Sequence, residues 1–540
     1  MTEVMAPNGW CVATIMDVAT ASGGGTPSKS DPSYWDEGTI PWVSPKDMKS
    51  FLVTSSEDSV TTKALGRLTL IPSKSILIVV RSGILSRTLP VSINKIPVTV
   101  NQDMRAFVPA LGVDARYIAW QLVSKERDIL DRCAKDGTTV ASIEGPALAR
   151  YPMAIAPLNE QTRIVEKLEE LLSDLDAGVA ELKAAQRKLA RYRQSLLKAA
   201  VEGALTADWR AARVAASSSS SLRKQGPSDS RRNTAKSLDS RVRGNDGHEE
   251  SGAGLLQRIL TERRTRWETK QLAKYAEQGK TPPNGWQSKY PEPVAPDTTD
   301  LPALPAGWVW ATLSQVGWLD RGRSKHRPRN APHLYGGPYP FVQTGDIRDS
   351  DTFIHEASTC YSEAGLAQSR LWPTNTLCIT IAANIGKTAL LAMEACFPDS
   401  VVGYLPASDA VSVHYIEYFM RTAQQKLENE APATAQKNIN LEILERLPVP
   451  VPPASEQFAL VEKLSEALLA VRAQLDAIDL GIKQAAAQRK NILKAAFAGQ
   501  LVPQDPRDEP ASALLERIRA ERAMGGTMDA KRGRKAKEAL

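Results

Sequence analysis

Glu160-Gln-Thr-Arg-Ile-Val-Glu-Lys-Leu168 and Glu456-Gln-Phe-Ala-Leu-Val-Glu-Lys-Leu464 are the same stretch written twice in one chain of 540 residues. Each is led in by a proline three residues earlier, in Pro157-Leu-Asn-Glu-Gln161 and Pro453-Ala-Ser-Glu-Gln457. The offset is 296, and it returns unchanged at Leu197-Lys-Ala-Ala200 with Gly203 and Leu205 against Leu493-Lys-Ala-Ala496 with Gly499 and Leu501. An offset that survives this distance without a gap marks one continuous element in each copy. Upstream the match is looser. Gly9-Trp10 with Ala13-Thr14 answers Gly307-Trp308 with Ala311-Thr312, and Pro41-Trp-Val43 answers Pro340-Phe-Val342.

Within the element, Leu168, Leu175, Leu182, Leu189 and Leu196 recur every seven residues, with Leu171, Gly178, Ala185, Tyr192 and Ala199 at the second position. The other copy offers Leu464, Val471, Ile478, Ala485 and Ile492, with Ala467, Gln474, Gly481, Gln488 and Ala495, so one seam is large where the other is small, as at Leu189 and Ala485. Five heptads predict a coiled coil, and two related copies predict that they pair with each other, antiparallel because each must return the chain to a new domain. About 44 residues at 1.5 Å each make a rod of roughly 66 Å. That is one to two turns of B-DNA, at about 34 to 36 Å per turn. An ordinary oligomerising coiled coil is the alternative, but it calls for a single helix rather than the alternation domain, helix, domain, helix.

Beyond the helix, Leu255-Leu-Gln-Arg-Ile259 matches Leu514-Leu-Glu-Arg-Ile518 at an offset of 259, so the first copy carries 37 extra residues. They fall in 212–249, a serine run followed by Arg, Lys, Asn, Asp and Gly, expected to be a disordered insertion because little in it can be buried. Outside the helices, Ser75-Ile-Leu-Ile-Val-Val80 and Thr376-Leu-Cys-Ile-Thr-Ile381 predict buried strands. Arg116 to Val123 and Val413 to Met420 have helical spacing. The predicted fold is α+β: two domains, 1–155 and 300–452, separated by two long helices pairing as an antiparallel coiled coil, one in 156–211 and one, followed by a short helix, in 453–522. A helical segment and linker fill 250–299, and a basic tail occupies 523–540.

Lys and Arg total 68 against 61 Asp and Glu, a formal charge of +7, which favours an anionic partner such as nucleic acid. Cys11, Cys133, Cys360, Cys378 and Cys396 are odd in number and form no C-x-x-C pair, which argues against a disulfide framework or a zinc site and fits a reducing cytoplasm. The first residues show no signal-peptide pattern, and no run approaches a membrane span. There is no N-P-P-[FY] tetrapeptide and no G-x-G-x-x-G. Gly386-Lys-Thr388 resembles the end of a phosphate-binding loop, but Ile381 stands where its first glycine belongs. The five histidines lack metal-ligand spacing. No catalytic residue and no metal site is expected.

Two openings carry the most specific resemblance. Ser22-Gly-Gly-Gly-Thr-Pro27 with Tyr34-Trp35, Ile40-Pro-Trp42 and Lys46-Asp-Met48 resembles the start of a target recognition domain of the type I restriction-modification specificity subunits. Arg321-Gly-Arg-Ser-Lys-His-Arg-Pro-Arg-Asn330 with Tyr335-Gly-Gly-Pro-Tyr-Pro-Phe341 and Thr344-Gly-Asp346 does the same for the second domain. The Pro-x-x-Glu-Gln entries and Leu-Lys-Ala-Ala exits match that family's central and C-terminal regions. The resemblance implies a non-catalytic, cytoplasmic subunit whose two domains each read half of a split double-stranded DNA target. It implies helices that set the spacer and dock two methyltransferase subunits, joined by restriction motor-nuclease subunits. It also implies S-adenosylmethionine, ATP and Mg on those partners and no cofactor on this chain.

Base edges are read by side chains with paired donors or acceptors, and phosphates by Lys, Arg, Ser and Thr. On that chemistry the DNA-contact candidates are Arg321, Arg323, Lys325, Arg327, Arg329, Asn330 and Lys387 in the second domain. In the first they are Thr26, Lys46, Arg81, Lys95, Asn101 and Gln102. A solvated basic loop is the alternative for 321–330. Arg81-Ser-Gly83 and Asn384-Ile-Gly-Lys387 follow the two buried strands, where a glycine-bearing loop lets a phosphate approach. Trp10, Trp35 and Trp42 are read as frame residues rather than stacking platforms.

Overall fold

The computed structural model describes residues 7–135, 140–223, 250–430 and 438–537. The chain divides into two compact units, Met1–Ala184 with Ile478–Leu540, and Ala185–Ala477. Each takes one recognition-type domain, part of both long helices and a shorter helix. Both domains are α+β.

The runs Ile76–Val79 and Leu377–Thr380 are wholly buried, as apolar β-branched stretches without alternation must be. Each is the middle strand of a five-stranded sheet. In the first unit the order is Ala19–Gly23, Met104–Pro109, Ile76–Val79, Val91–Asn94, Leu52–Val53. In the second it is Gly317–Arg321, Val401–Pro406, Leu377–Thr380, Thr388–Leu391, Phe353–Ile354. Both sheets are antiparallel except at the last pair, which is parallel. The divergent sequences therefore share one topology. The helices Ala115–Ser124 and Val413–Glu430 are where helical spacing put them.

A two-stranded ribbon closes each domain, Cys11–Thr14 with Pro152–Ile155 and Val309–Thr312 with Pro448–Val451, and the second strand of each runs straight into a long helix. The Pro-x-x-Glu-Gln signature has a physical role at this junction. Glu160 and Glu456 are buried and accept the indole N–H of Trp10 at 3.0 Å and of Trp308 at 2.9 Å. Gln161 donates to Ala156 O and accepts from Asp114 N, while Gln457 donates to Pro452 O and accepts from Ser412 N. Each glutamine thus satisfies a carbonyl at the change from strand to long helix and an amide at the start of a neighbouring helix, Ala115–Ser124 or Val413–Glu430. The recurring Gly-Trp and Glu-Gln pairs are two halves of one joint.

The long helices are Leu158–Val201, 44 residues, and Ala454–Ala496, 43 residues. In the first unit Ile164, Val165, Leu168 and Leu172 share a core with Ile492, Leu493 and Ala496, Arg489 pairs with Asp176 at 2.7 Å, and a Cβ on Gly481 would meet Leu182 at 3.2 Å. Partners fall in number along one helix as they rise along the other, so the pairing is antiparallel. The second unit repeats it: Leu196, Leu197 and Ala200 share a core with Leu460, Leu464 and Val471, and Arg193 and Arg472 meet on the carboxylate of Asp351. Leu168, Leu196, Leu464, Val471 and Ile492 are buried; Leu175, Leu182, Leu189 and Ile478 are half-buried.

Three details differ from the sequence reading. The second heptad position is not a continuous seam, because Gly178, Tyr192, Gln474 and Gln488 are exposed. Leu189 and Ala485 occupy corresponding slots but belong to different units, since antiparallel pairing sets the start of one helix beside the end of the other. Residues 212–223, expected to be disordered, continue the helix Ala207–Arg223, carried on by the alanine-rich stretch Ala211 to Ala216; the rest of the insertion, 224–249, lies outside the described residues. The basic tail likewise begins as backbone helix, within Ala511–Lys537.

The helices Gly252–Glu277 and Ala511–Lys537 dock in the same way on their domains. Gly252 N donates to Gly307 O at 2.7 Å and Ala511 N to Gly9 O at 2.9 Å. Arg263 then donates to Gly317 O, and Arg522 to Met16 O and Ala19 O. Among the described residues no helix is long and apolar enough to cross a membrane.

Candidate nucleic-acid interface

In each domain one glycine lets a loop lie directly on a turn. A Cβ on Gly24 would sit 1.8 Å from Asn101 O, and one on Gly322 would sit 2.2 Å from Phe397 O. No larger residue admits that approach. The next amides, Gly25 N and Arg323 N, donate to Val100 O and Phe397 O, each at 3.0 Å. Trp42 lies beside Thr99 and Phe341 beside Cys396, both in parallel register. The turn Asn101-Gln102-Asp103 therefore occupies the same place in its domain as Pro398-Asp399-Ser400 does in the other. Strands Met104–Pro109 and Val401–Pro406 leave these turns.

At the first turn Thr26 donates its hydroxyl to Gln102 Oε1, and Arg81 lies 3.9 Å from the Asp103 carboxylate. Thr26, Gln102 and Arg81 are thus brought together. Asn101 is not available in the way the sequence reading had it: the residue is buried, and its side chain accepts from Asp103 N and donates to Asp103 Oδ2. A polar residue beside a glycine loop serves here to close the turn. Lys46 stands apart, paired with Glu57 at 3.1 Å and Asp58 at 3.0 Å, and its ammonium is pushed above its ordinary pKa by those hydrogen bonds. Lys95, exposed, begins the loop after strand Val91–Asn94.

At the second turn the basic loop 321–330 is anchored along its backbone. Ser369 Oγ donates to Arg323 O, His326 N to Gln368 Oε1, and Tyr335 Oη to Arg329 O. Arg327 Nη1 donates to two carbonyls of its own loop, Ser324 O and His326 O, which turns that end of the guanidinium back onto the loop. Arg323 lies 3.7 Å from Asp320, which also holds Arg370 at 2.8 Å. Arg329 Nη2 donates to both carboxylate oxygens of Asp399, at 2.8 and 2.9 Å. Arg321, Lys325 and Asn330 are exposed. Lys387 is exposed in the hairpin between Leu377–Thr380 and Thr388–Leu391, away from this loop in the sheet order.

Asp399 and Asp320 escaped the sequence reading, which looked for cations and amides and not for the carboxylates that hold them. Setting the copies against each other at the turn, Gln102 beside Asp399, would have found the first. Gly386-Lys-Thr388 is a hairpin running into a strand, with Gly386 N donating to Thr380 O. A phosphate-binding loop would open a helix. Trp42 and Trp10 are buried, and Trp35 packs edge-on against Trp42 at 5.2 Å, consistent with frame roles. Among the described residues no group of three or more His, Cys, Asp or Glu could hold a metal ion.

The profile of the family described as type I restriction modification DNA specificity domain matches residues 7–184 and 305–474. The EcoR124I/EcoR124II specificity subunit of Escherichia coli is 41% identical over 189 residues, 34% of this chain and 47% of that one, so the match spans about half the length of that relative. The EcoDI specificity subunit of Escherichia coli is 23% identical over 460 residues, 82% of this chain and 84% of that one. A solved chain from work on complex assembly and conformational transition of the type I R-M system superposes with a TM-score of 0.59 over 92% of this chain and 99% of its own, at 15% identity. At that identity the likeness is one of fold.

Proposed function

The chain belongs to the type I restriction-modification DNA specificity family, and from that premise we propose that it is the target-reading subunit of such a complex and acts without catalysing a reaction itself. Each recognition domain reads one half of a bipartite, asymmetric site in double-stranded DNA. The paired helices fix the unread spacer and dock two methyltransferase subunits, with motor-nuclease subunits joining for restriction. S-adenosylmethionine, ATP and Mg belong to those partners. The observation that carries this reading is the turn shared by both domains: one frame, with Thr26 set against Gln102 of the turn in the first and a basic loop set against Asp399 of the turn in the second. Two readers of different half-sites need a common scaffold and different polar groups at equivalent places.

A footprint of the chain in complex with its methyltransferase partner tests it. The expected result is two protected half-sites flanking an unprotected spacer. One contiguous protected site contradicts the reading, as does protection independent of sequence.

A further inference from the structure

We propose that Arg329 reads a guanine in the major groove and that Asp399 is the positioning residue that aims it. The proposal rests on the DNA-reading function given above and assigns one base contact within it. Among the cations of the loop, Arg329 is held in a distinctive way. Both oxygens of Asp399 lie against a single nitrogen, Nη2. The two oxygens of one carboxylate lie too close together to be aligned with both of the diverging Nη2 hydrogens, so they share one; among the described residues Nε and Nη1 have no partner, and the second Nη2 hydrogen stays parallel to a free neighbour as a two-donor edge. Guanine O6 and N7 accept such an edge through two parallel hydrogen bonds.

A base reader must also be rigid, because freedom lost on binding weakens discrimination. The backbone carbonyl of Arg329 is fixed by Tyr335 Oη at 2.8 Å, and the loop is tied again at Arg323 and His326. Arg329 lines a cavity of about 150 Å³ with Gln343, Thr344 and Ser400, so further polar residues share its surroundings. Arg321 and Lys325 are different: exposed, with no ion pair among the described residues, they suit phosphates, which need charge and not orientation.

The other domain supplies an independent observation. At the turn equivalent to Asp399 it carries Gln102, set by Thr26. Gln is the side chain that pairs with adenine in the major groove. The same place in one frame thus holds two different reading chemistries.

The test is a map of modified bases in cells producing the full chain with its methyltransferase partner, for the wild type, Arg329→Lys, Asp399→Asn and Arg321→Lys. Lysine keeps the charge of Arg329 and removes the fork. Arg329→Lys is expected to lower preference for guanine at one position of one half-site by about ten- to a hundred-fold. Asp399→Asn should relax the same position, whereas Arg321→Lys, at a phosphate contact, should change at most the amount of modification, evenly across sequences, and not the base preferred at any position. Uniformly weaker modification in Arg329→Lys with base preference unchanged would make Arg329 a phosphate contact and overturn the proposal, as would Asp399→Asn relaxing a different position. If the wild type shows no bipartite target at all, the underlying DNA-reading function fails, and that outcome is distinct because it needs no variant.

Discussion

Glu456 is buried and takes hydrogen bonds from the Trp308 indole, the Thr206 hydroxyl at 2.6 Å and the Arg210 guanidinium. Removing the carboxylate leaves a largely covered arginine and an indole N–H without an acceptor. Glu456→Ala is therefore expected to destabilise the second unit by about 3 kcal/mol in urea unfolding, and Glu456→Gln by less. Its counterpart Glu160 is equally buried, and burial raises its carboxyl above the ordinary 4.5, against the pull of Arg163. The folded chain then holds that proton more tightly than the unfolded chain. Its contribution to stability is complete below pH 4.5 and is lost as pH rises through the folded value. Glu160→Gln keeps an acceptor for Trp10 and removes the titration. The urea midpoint of the wild type should fall, relative to that of the variant, on going from pH 4 to pH 7; parallel profiles would contradict the assignment. These roles were hidden in the sequence, where Glu-Gln was visible as a repeat but nothing local tied it to Gly-Trp some 150 residues away.

At the scale of elements, what was legible is what local periodicity records. The heptads fall inside both long helices, Leu158–Val201 and Ala454–Ala496, which begin within two residues of the expected bounds and end short of them, and the apolar runs placed the central strands, because burial on every face leaves an unbroken apolar stretch. The second heptad position misled because a pair of helices can leave one side of its seam open to water; Tyr192 is half exposed, at 51%. The seam should accordingly be uneven in strength. Leu464→Ala, at a site with no exposure, is expected to cost about 3 kcal/mol, and Leu182→Ala, half-buried against Gly481, about 1 kcal/mol. Equal losses in urea unfolding would mean the helices pack more uniformly than their burial indicates. The reading loops were legible only in part. Charge marked 321–330, whereas the carboxylate that orients Arg329 lies 70 residues further on, brought there by the sheet.

For the whole molecule, the duplication is of frame and not of surface: two sheets of one topology, two Glu-Trp joints, two docked helices, and different side chains at the equivalent turns. If the paired helices set the spacer, deleting one heptad from each, at facing positions near Leu182 and Gly481, shortens them by about 10 Å. The unread spacer should then contract by about three base pairs at 3.4 Å each, and an unchanged spacer would release the helices from that role. The most direct measurement of the central claim is a domain exchange. Residues 300–452 are replaced by the recognition domain of a related subunit, and modified bases are mapped in cells that also produce the methyltransferase partner. Independent readers predict a new sequence in one half-site with the other half retained; a target unchanged, or altered in both halves, would contradict the account.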